Sequence, residues 1–388
     1  MEIINLAKNI QPYLQEIRRE FHKYPEISYE EKQTEKIIIE ELKKIGTFTI
    51  KENINGYGII ADMEGAKPGK TIALRADMDA LQICEETGLS YSSKNKGIMH
   101  ACGHDCHMTM VLGAAKLLSE KKNEIAGNVR LIFQPAEELS PKGGSRGMIE
   151  AGALDNVDSI FGLHVWPDLP LGKIGVKSGA LMAASDHFVV KIKGKSSHAA
   201  KPNEGIDALV TGAQFITAVQ TIVSRNADPM KSIVITIGKM QAGSRYNIVA
   251  EECILEGTCR TFAPEMRELA EKRLQTILEG ICTLSGCTGV LNYEKGYMAL
   301  ENDPISTEYM EKIIKNLYGE KNVVKVEPAM TAEDFSFYLD KKPGAFAWIG
   351  TTAEGEKMYP LHNSRYAPNE DVLWRGAALL AQLVLDFK

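Results

Sequence analysis

Three histidines, two cysteines and an aspartate fall within residues 97–107, Gly-Ile-Met-His-Ala-Cys-Gly-His-Asp-Cys-His, of a chain that has only eight histidines. The stretch follows a strand-like run and opens an apolar helical segment, residues 108–118. It therefore reads as a loop at the carboxyl end of a strand, where open α/β sheets place their sites. Small residues alternate with Cys102 and His104, so a thiolate and an imidazole can reach one point. Zinc and its neighbours favour that ligand pair. A fold is required that carries further ligands to the same end of the sheet.

A chain of 388 residues exceeds one ordinary core, so two domains are expected. The net charge of -6 argues against nucleic acid or an anionic membrane surface as partner. No apolar run is long enough to span a bilayer. Residues 1–20 read as an amphipathic helix with charges throughout, not as a basic-then-apolar leader. Seven cysteines, an odd number, suggest free thiols in a reducing, cytoplasmic setting. Cys84, Cys253, Cys259, Cys282 and Cys287 read as small buried apolar residues, and Cys106 as structural.

Ile4, Ala7, Ile10, Leu14, Ile17 and Phe21 recur at helical spacing, and a second helix over about 30–45 stops at Gly46. Strand-like runs follow at 47–51, 57–63 and 71–75, the last after a Gly/Pro turn. Residues 129–133 form a short apolar run that ends in Gln134-Pro135-Ala136-Glu137-Glu138. Residues 159–164 form another, ending at His164. This alternation predicts an α/β fold with a buried, largely parallel sheet between helices. The texture changes near Ser185. Strands at 187–193, 232–240, 247–260 and 290–295 alternate with helices at 206–223 and 264–284. That order is the split-βαβ, ferredoxin-like pattern. The reading is an inserted domain at 184–294, with residues 1–183 and 295–388 forming a discontinuous first domain that closes with a helix at 371–387.

Four candidate ligand groups stand at strand ends: Cys102 with His104, Glu137-Glu138, His164, and His362. One thiolate, three imidazoles and a carboxylate are too many for one tetrahedral ion with an open position. They suit two ions sharing a bridge, and Cys102 is the bridge expected. Adjacent Glu137 and Glu138 cannot both face one ion from an extended backbone. One can ligate while the other stands as general base beside a water whose pKa falls to about 7. Asp77, at the end of its strand, is placed to orient a ligand imidazole. Asp79 reads as a turn cap, and Thr331 as the cap of a helix start that contains Asp334. A cysteine amidase using Cys102 as nucleophile and His104 as base is the competing chemistry, and a non-catalytic scaffold the competing class.

Eight motifs in order extend the pattern almost end to end: Arg-Ala-Asp-Met-Asp-Ala-Leu (75–81), Met-His-Ala-Cys-Gly-His-Asp-Cys-His (99–107), Gln-Pro-Ala-Glu-Glu (134–138), Gly-Leu-His-Val (162–165), Ser-His-Ala-Ala-Lys-Pro (197–202), Glu-Gly-Thr-Cys-Arg-Thr (256–261), Thr-Ala-Glu-Asp-Phe (331–335) and Leu-His-Asn (361–363). Together they resemble the amidohydrolase branch of the di-metal aminoacylase/carboxypeptidase superfamily. That branch includes hippurate hydrolases, auxin-conjugate hydrolases and N-acetyldiaminopimelate deacetylases. The resemblance implies two divalent ions (zinc, manganese, cobalt or nickel) on Cys102, His104, Glu138, His164 and His362, with Glu137 as general base. It implies that the inserted domain is a lid through which a homodimer forms. It implies that His198 reaches the substrate carbonyl, and Asn247 with Arg260 can clamp a free carboxylate. The expected activity is hydrolysis of small N-acyl-L-amino acids (N-acetyl, N-benzoyl or similar), with an N-acetyldiaminopimelate deacetylase of lysine synthesis, or a di-metal dipeptidase or carboxypeptidase on the same scaffold, as the alternatives. Peptidase relatives carry His where Arg75 stands, and Asp where Cys102 stands.

Overall fold

The computed structural model describes residues 2–388; Met1, the first residue of the expected helix 1–20, lies outside them. Two compact units divide the chain. One holds the residues up to Leu181 with Glu301–Glu327 and Asp334–Lys388; the other holds Met182–Leu300 with Pro328–Glu333. The second unit therefore runs a few residues beyond 184–294 at each end and includes a short returning segment.

The first unit is built on an eight-stranded sheet. Its spatial order is Thr49–Ile54, Gly58–Glu64, Ala126–Gln134, Lys67–Asp77, Ser159–Pro170, Gly344–Thr352, Ile174–Gly175 and Val323–Val324. The four strands from Ala126–Gln134 to Gly344–Thr352 run parallel. Gly58–Glu64 and Thr49–Ile54 extend that edge antiparallel, so the sheet is mixed. The parallel strands are buried almost throughout, which is why they read as continuous apolar runs.

Helices His104–Glu120 and Val372–Leu385 pack against each other over this sheet. Their contact depends on Gly376: a Cβ there would fall 1.8 Å from the Met110 sulfur. The amino-terminal helix is two, Glu2–Asn9 and Gln11–Lys23, because the chain breaks at Ile10 and Pro12 restarts it in a first turn. The expected stop at Gly46 is a left-handed cap with φ 78°. The strand expected to end at His164 continues to Pro170, with His164 paired beside Trp348 on the next strand. The expected helix start at Thr331 is corrected: the helix is Ser336–Lys341, and Asp334 is buried before it.

The second unit is a four-stranded antiparallel sheet in the order Thr288–Tyr297, Ala184–Lys193, Glu252–Thr261, Ile233–Ala242. Helices Ala208–Thr221 and Pro264–Ser285 complete the β-α-β-β-α-β order. Alternate residues of Ala184–Lys193 are buried, among them Phe188, Val190 and Ile192, and they join the core of this unit. The strand expected over 247–260 is corrected to Glu252–Thr261. Residues 247–251 instead form a loop stitched to the 196–199 loop, through Ala199 N–H to the Asn247 carbonyl at 3.1 Å and Val249 N–H to Ser197 at 2.9 Å. All seven cysteines are free, and Cys84 is exposed rather than buried. Among the described residues no helix is long and apolar enough to cross a membrane.

Candidate metal centre

Gly103 makes the turn that separates Cys102 from His104. It stands at φ 87°, and a Cβ would fall 2.3 Å from a Val165 methyl. Only glycine fits there. The turn leaves Cys102 in the loop and starts the helix with His104. Cys102 Sγ lies 3.4 Å from His164 Nε2 and 3.3 Å from His362 Nε2. His362 itself has φ 62°, and its N–H donates to the Ala101 carbonyl at 2.9 Å, which ties its loop to that of Cys102. Glu138 Oε1 lies 3.4 Å from His362 Nε2 and 3.8 Å from His104 Nε2.

These donors form two sets. Cys102, His104 and His164 are one; Cys102, Glu138 and His362 are the other. In each set the donor atoms lie within 4.8 Å of one another. The Cys102 sulfur belongs to both. His104 Nε2 and Glu138 Oε1 are buried and have no hydrogen-bond partner. A buried polar atom without a partner is costly, and a cation satisfies both. Burial, then the charges of Glu138, Glu137 and Asp77, push the Cys102 thiol well above its usual range. A bound cation would reverse that balance and favour the thiolate. The donor set thus fits divalent ions that accept sulfur and imidazole.

The other ring nitrogens are already engaged. His104 Nδ1–H donates to the Asp79 carbonyl at 2.8 Å, and His164 Nδ1–H to the Val165 carbonyl at 2.7 Å. Both bonds turn Nε2 toward the donor sets. Asp77 makes its histidine hydrogen bond with His107, Nδ1 to Oδ1 at 2.7 Å, and lies 3.8 Å from His104 Nδ1. His107 Nε2 accepts from Val165 N–H at 2.9 Å, so its tautomer is set and it holds the strand that carries His164. Burial opposes ionisation of Asp77, but His104, His107 and Arg75 outweigh it and hold the carboxyl well below the usual range.

Glu137 and Glu138 follow the turn after Ala126–Gln134. Their N–H groups donate to the two Asp79 oxygens at 3.0 and 2.9 Å, and Ser28 donates to the same carboxylate at 2.6 Å. Asp79 is thus the anchor of the carboxylate pair rather than a turn cap. Glu137 is buried, and Asp334 N–H donates to its Oε1 at 3.4 Å. From sequence alone Asp79 and Arg75 do not read as site-building residues, His107 reads evenly as a loop histidine or a support of the site, and Asp334 reads first as part of a helix start. The available signal was the run of charged side chains in otherwise apolar strand ends.

His198, Asn247 and Arg260 belong to the second unit. His198 is exposed and accepts from Ala200 N–H at 3.0 Å; its loop pairs with that of Asn247 through Ile248. Asn247 Oδ1 is buried without a partner. Arg260 is half-buried on Glu252–Thr261, between Ser185 and Val234.

Residues 73–386 match the family described as Peptidase family M20/M25/M40. Thermostable carboxypeptidase 1 of Saccharolobus solfataricus is 39% identical over 394 residues, which span 100% of this chain and 99% of that protein. N-acetyl-L-cysteine deacetylase of Bacillus subtilis is 42% identical over 357 residues, 92% of this chain and 84% of that protein. The crystal structure of Bacillus subtilis YXEP protein, described as a dinuclear metal binding peptidase, superposes with a TM-score of 0.84 at 35% identity, covering 97% of this chain and 98% of that one.

Proposed function

The chain belongs to peptidase family M20/M25/M40 and is a metal-dependent hydrolase of linear amides, and from that premise we propose that it cleaves N-acyl-L-amino acids. Cys102, His104 and His164 would hold one divalent ion, and Cys102, Glu138 and His362 a second; zinc, manganese, cobalt and nickel all suit these donors. The observation that carries the reading is the single sulfur common to both donor sets, with Glu137 beside them. When bound, such ions supply Lewis acidity that activates water and stabilises the oxyanion. Glu137 takes the proton of the attacking water and returns it to the leaving nitrogen. Asp79 keeps Glu137 and Glu138 on separate tasks through their amides. The resemblance implies roles on the substrate for His198, with its carbonyl oxygen, and for Asn247 and Arg260, with its free carboxylate, a group that suits a guanidinium fork.

The alternative is a carboxypeptidase, favoured by the 39% identity to the Saccharolobus solfataricus enzyme. One panel decides between them: N-acetyl- and N-benzoyl-amino acids against dipeptides, with each ion restored after chelation. Hydrolysis of dipeptides alone would overturn the N-acyl reading. A homodimer through the second unit is supported by its edge strand Ile233–Ala242, on which Val234 and Met240 are exposed. Sedimentation equilibrium tests it. Seven free cysteines support a cytoplasmic setting.

A further inference from the structure

Three consecutive backbone N–H groups at the end of strand Ala126–Gln134 are gripped by two buried carboxyls. Glu137 and Glu138 donate to Asp79, and Ala136 donates to Glu31 Oε1 at 2.8 Å. Ala136 stands at φ 57°, in the left-handed region that an L side chain disfavours. Such a conformation persists only where its surroundings hold it. Asp79 fixes the amides on the far side of the turn. Glu31 supplies the hold on Ala136 itself.

Glu31 is not needed by the helix it precedes. The first free amides of Lys32–Ile45, those of Gln33 and Thr34, donate to Glu26 at 2.9–3.0 Å. Glu31 instead turns inward, is fully buried, and leaves its second oxygen, Oε2, without a partner. Burial, and then the neighbouring Asp79 charge, push its carboxyl up to about 8. One of its oxygens is in use and the other is not.

We propose that Glu31 is a positioning residue for amide hydrolysis: through the Ala136 N–H it locks the left-handed turn that aims Glu137 and Glu138 at different tasks. The inference rests on the amide-hydrolase reading above. Its contact is with backbone, so it acts through Glu137 and Glu138 and not on substrate. Without it, Ala136 relaxes toward ordinary φ and the carboxylate pair rotates away from the donors of Cys102 and His362.

The test compares Glu31→Gln, which keeps an acceptor oxygen, with Glu31→Met, which fills the same volume without one. Two readouts are taken: hydrolysis of an N-acyl-amino-acid panel, and zinc alone titrated against a chromophoric chelator. Glu31→Gln should stay within about threefold of the unmodified protein in both, since the acceptor survives. Glu31→Met should lose about 10–100-fold in kcat with KM changed far less, and weaken one zinc-binding step about tenfold. If Glu31→Met does not fold, Glu31→Asp, one methylene short of Ala136, takes its place. The proposal is overturned if Glu31→Gln falls as far as the acceptor-deficient variant, or if that variant keeps normal kcat and zinc affinity. If the unmodified protein hydrolyses no N-acyl amino acid, the substrate reading fails, while the zinc titration still judges the clamp.

Discussion

Arg75 Nη2 donates to Asp334 Oδ1 at 2.8 Å, and neither side chain is more than 1% exposed. The same guanidinium donates to Asp77 at 2.6 Å and to Gln134 at 3.0 Å. Asp334 also accepts from Gln134 Nε2 and from the amides of Gly144 and Ser145. One buried cation thus joins the ends of two strands to the turn whose backbone N–H meets Glu137.

Asp334→Ala should be strongly destabilising, because it leaves Arg75 buried beside one carboxylate fewer and orphans two amides. Removing one partner of a buried pair costs about 3–5 kcal/mol. Urea unfolding followed by fluorescence measures it. A loss below about 1 kcal/mol would mean that the network tolerates the gap by relaxation.

Glu137→Gln removes the proton carrier but none of the donors to the ions. Turnover should fall about 10²–10⁴-fold, while elemental analysis finds the metal content unchanged. Loss of metal along with activity would make Glu137 a ligand instead of a base.

Metal uptake should release protons. In the ion-free protein the Cys102 thiol is held well above its usual range, by burial first and then by Glu138 and Glu137. It is protonated at neutral pH, so a divalent ion must displace that proton, and affinity rises with pH. Zinc titrations by calorimetry in buffers of different ionisation enthalpy count the protons. Cys102→Asp, whose carboxylate ionises far lower, should lessen the pH dependence without abolishing it, because His104, lowered by burial but raised more by Asp77 and Asp79 to about 10, also gives up a proton. An equal slope in both proteins would place the displaced proton elsewhere.

Acid should weaken the first unit through Glu85. Burial raises its carboxyl, but hydrogen bonds from His22, Ser93 N–H and Thr87 lower it to about 2. A depressed carboxyl contributes stability that is present above its unfolded pKa and lost as pH falls through its folded one. The window is therefore about pH 4.5 down to about 2, with a loss of roughly 1–3 kcal/mol. Glu85→Gln should be less stable than the unmodified protein near pH 6 and converge with it toward pH 2. Parallel stability curves across that range would exclude this contribution.

Much of the site was legible because its chemistry is local. Cys102 and His104 are two residues apart, Glu137 and Glu138 are adjacent, and the apolar run before the glutamates marked the end of a parallel strand; the expected strand before Cys102 is corrected, since the last strand ends at Asp77 and a long irregular segment leads to the loop. Periodicity likewise told the mixed α/β unit from the ferredoxin-like one, since burial on both faces and burial on one leave different patterns. The misreadings are of another kind. Residues 247–251 have strand composition but pair with the 196–199 loop, and Asp334 resembles a helix start but is claimed by Arg75.

By itself the sequence determined which side chains are available to hold ions and where the buried strands lie, because ligand identity and hydrophobic period are written residue by residue. Only the tertiary structure decided that the five donors gather around the Cys102 sulfur, that Asp77 serves His107, and that Asp79 and Glu31 grip the turn before the carboxylate pair. Those relationships join groups tens to hundreds of residues apart. They exist only where burial strips competing water from both partners, and no linear spacing records that.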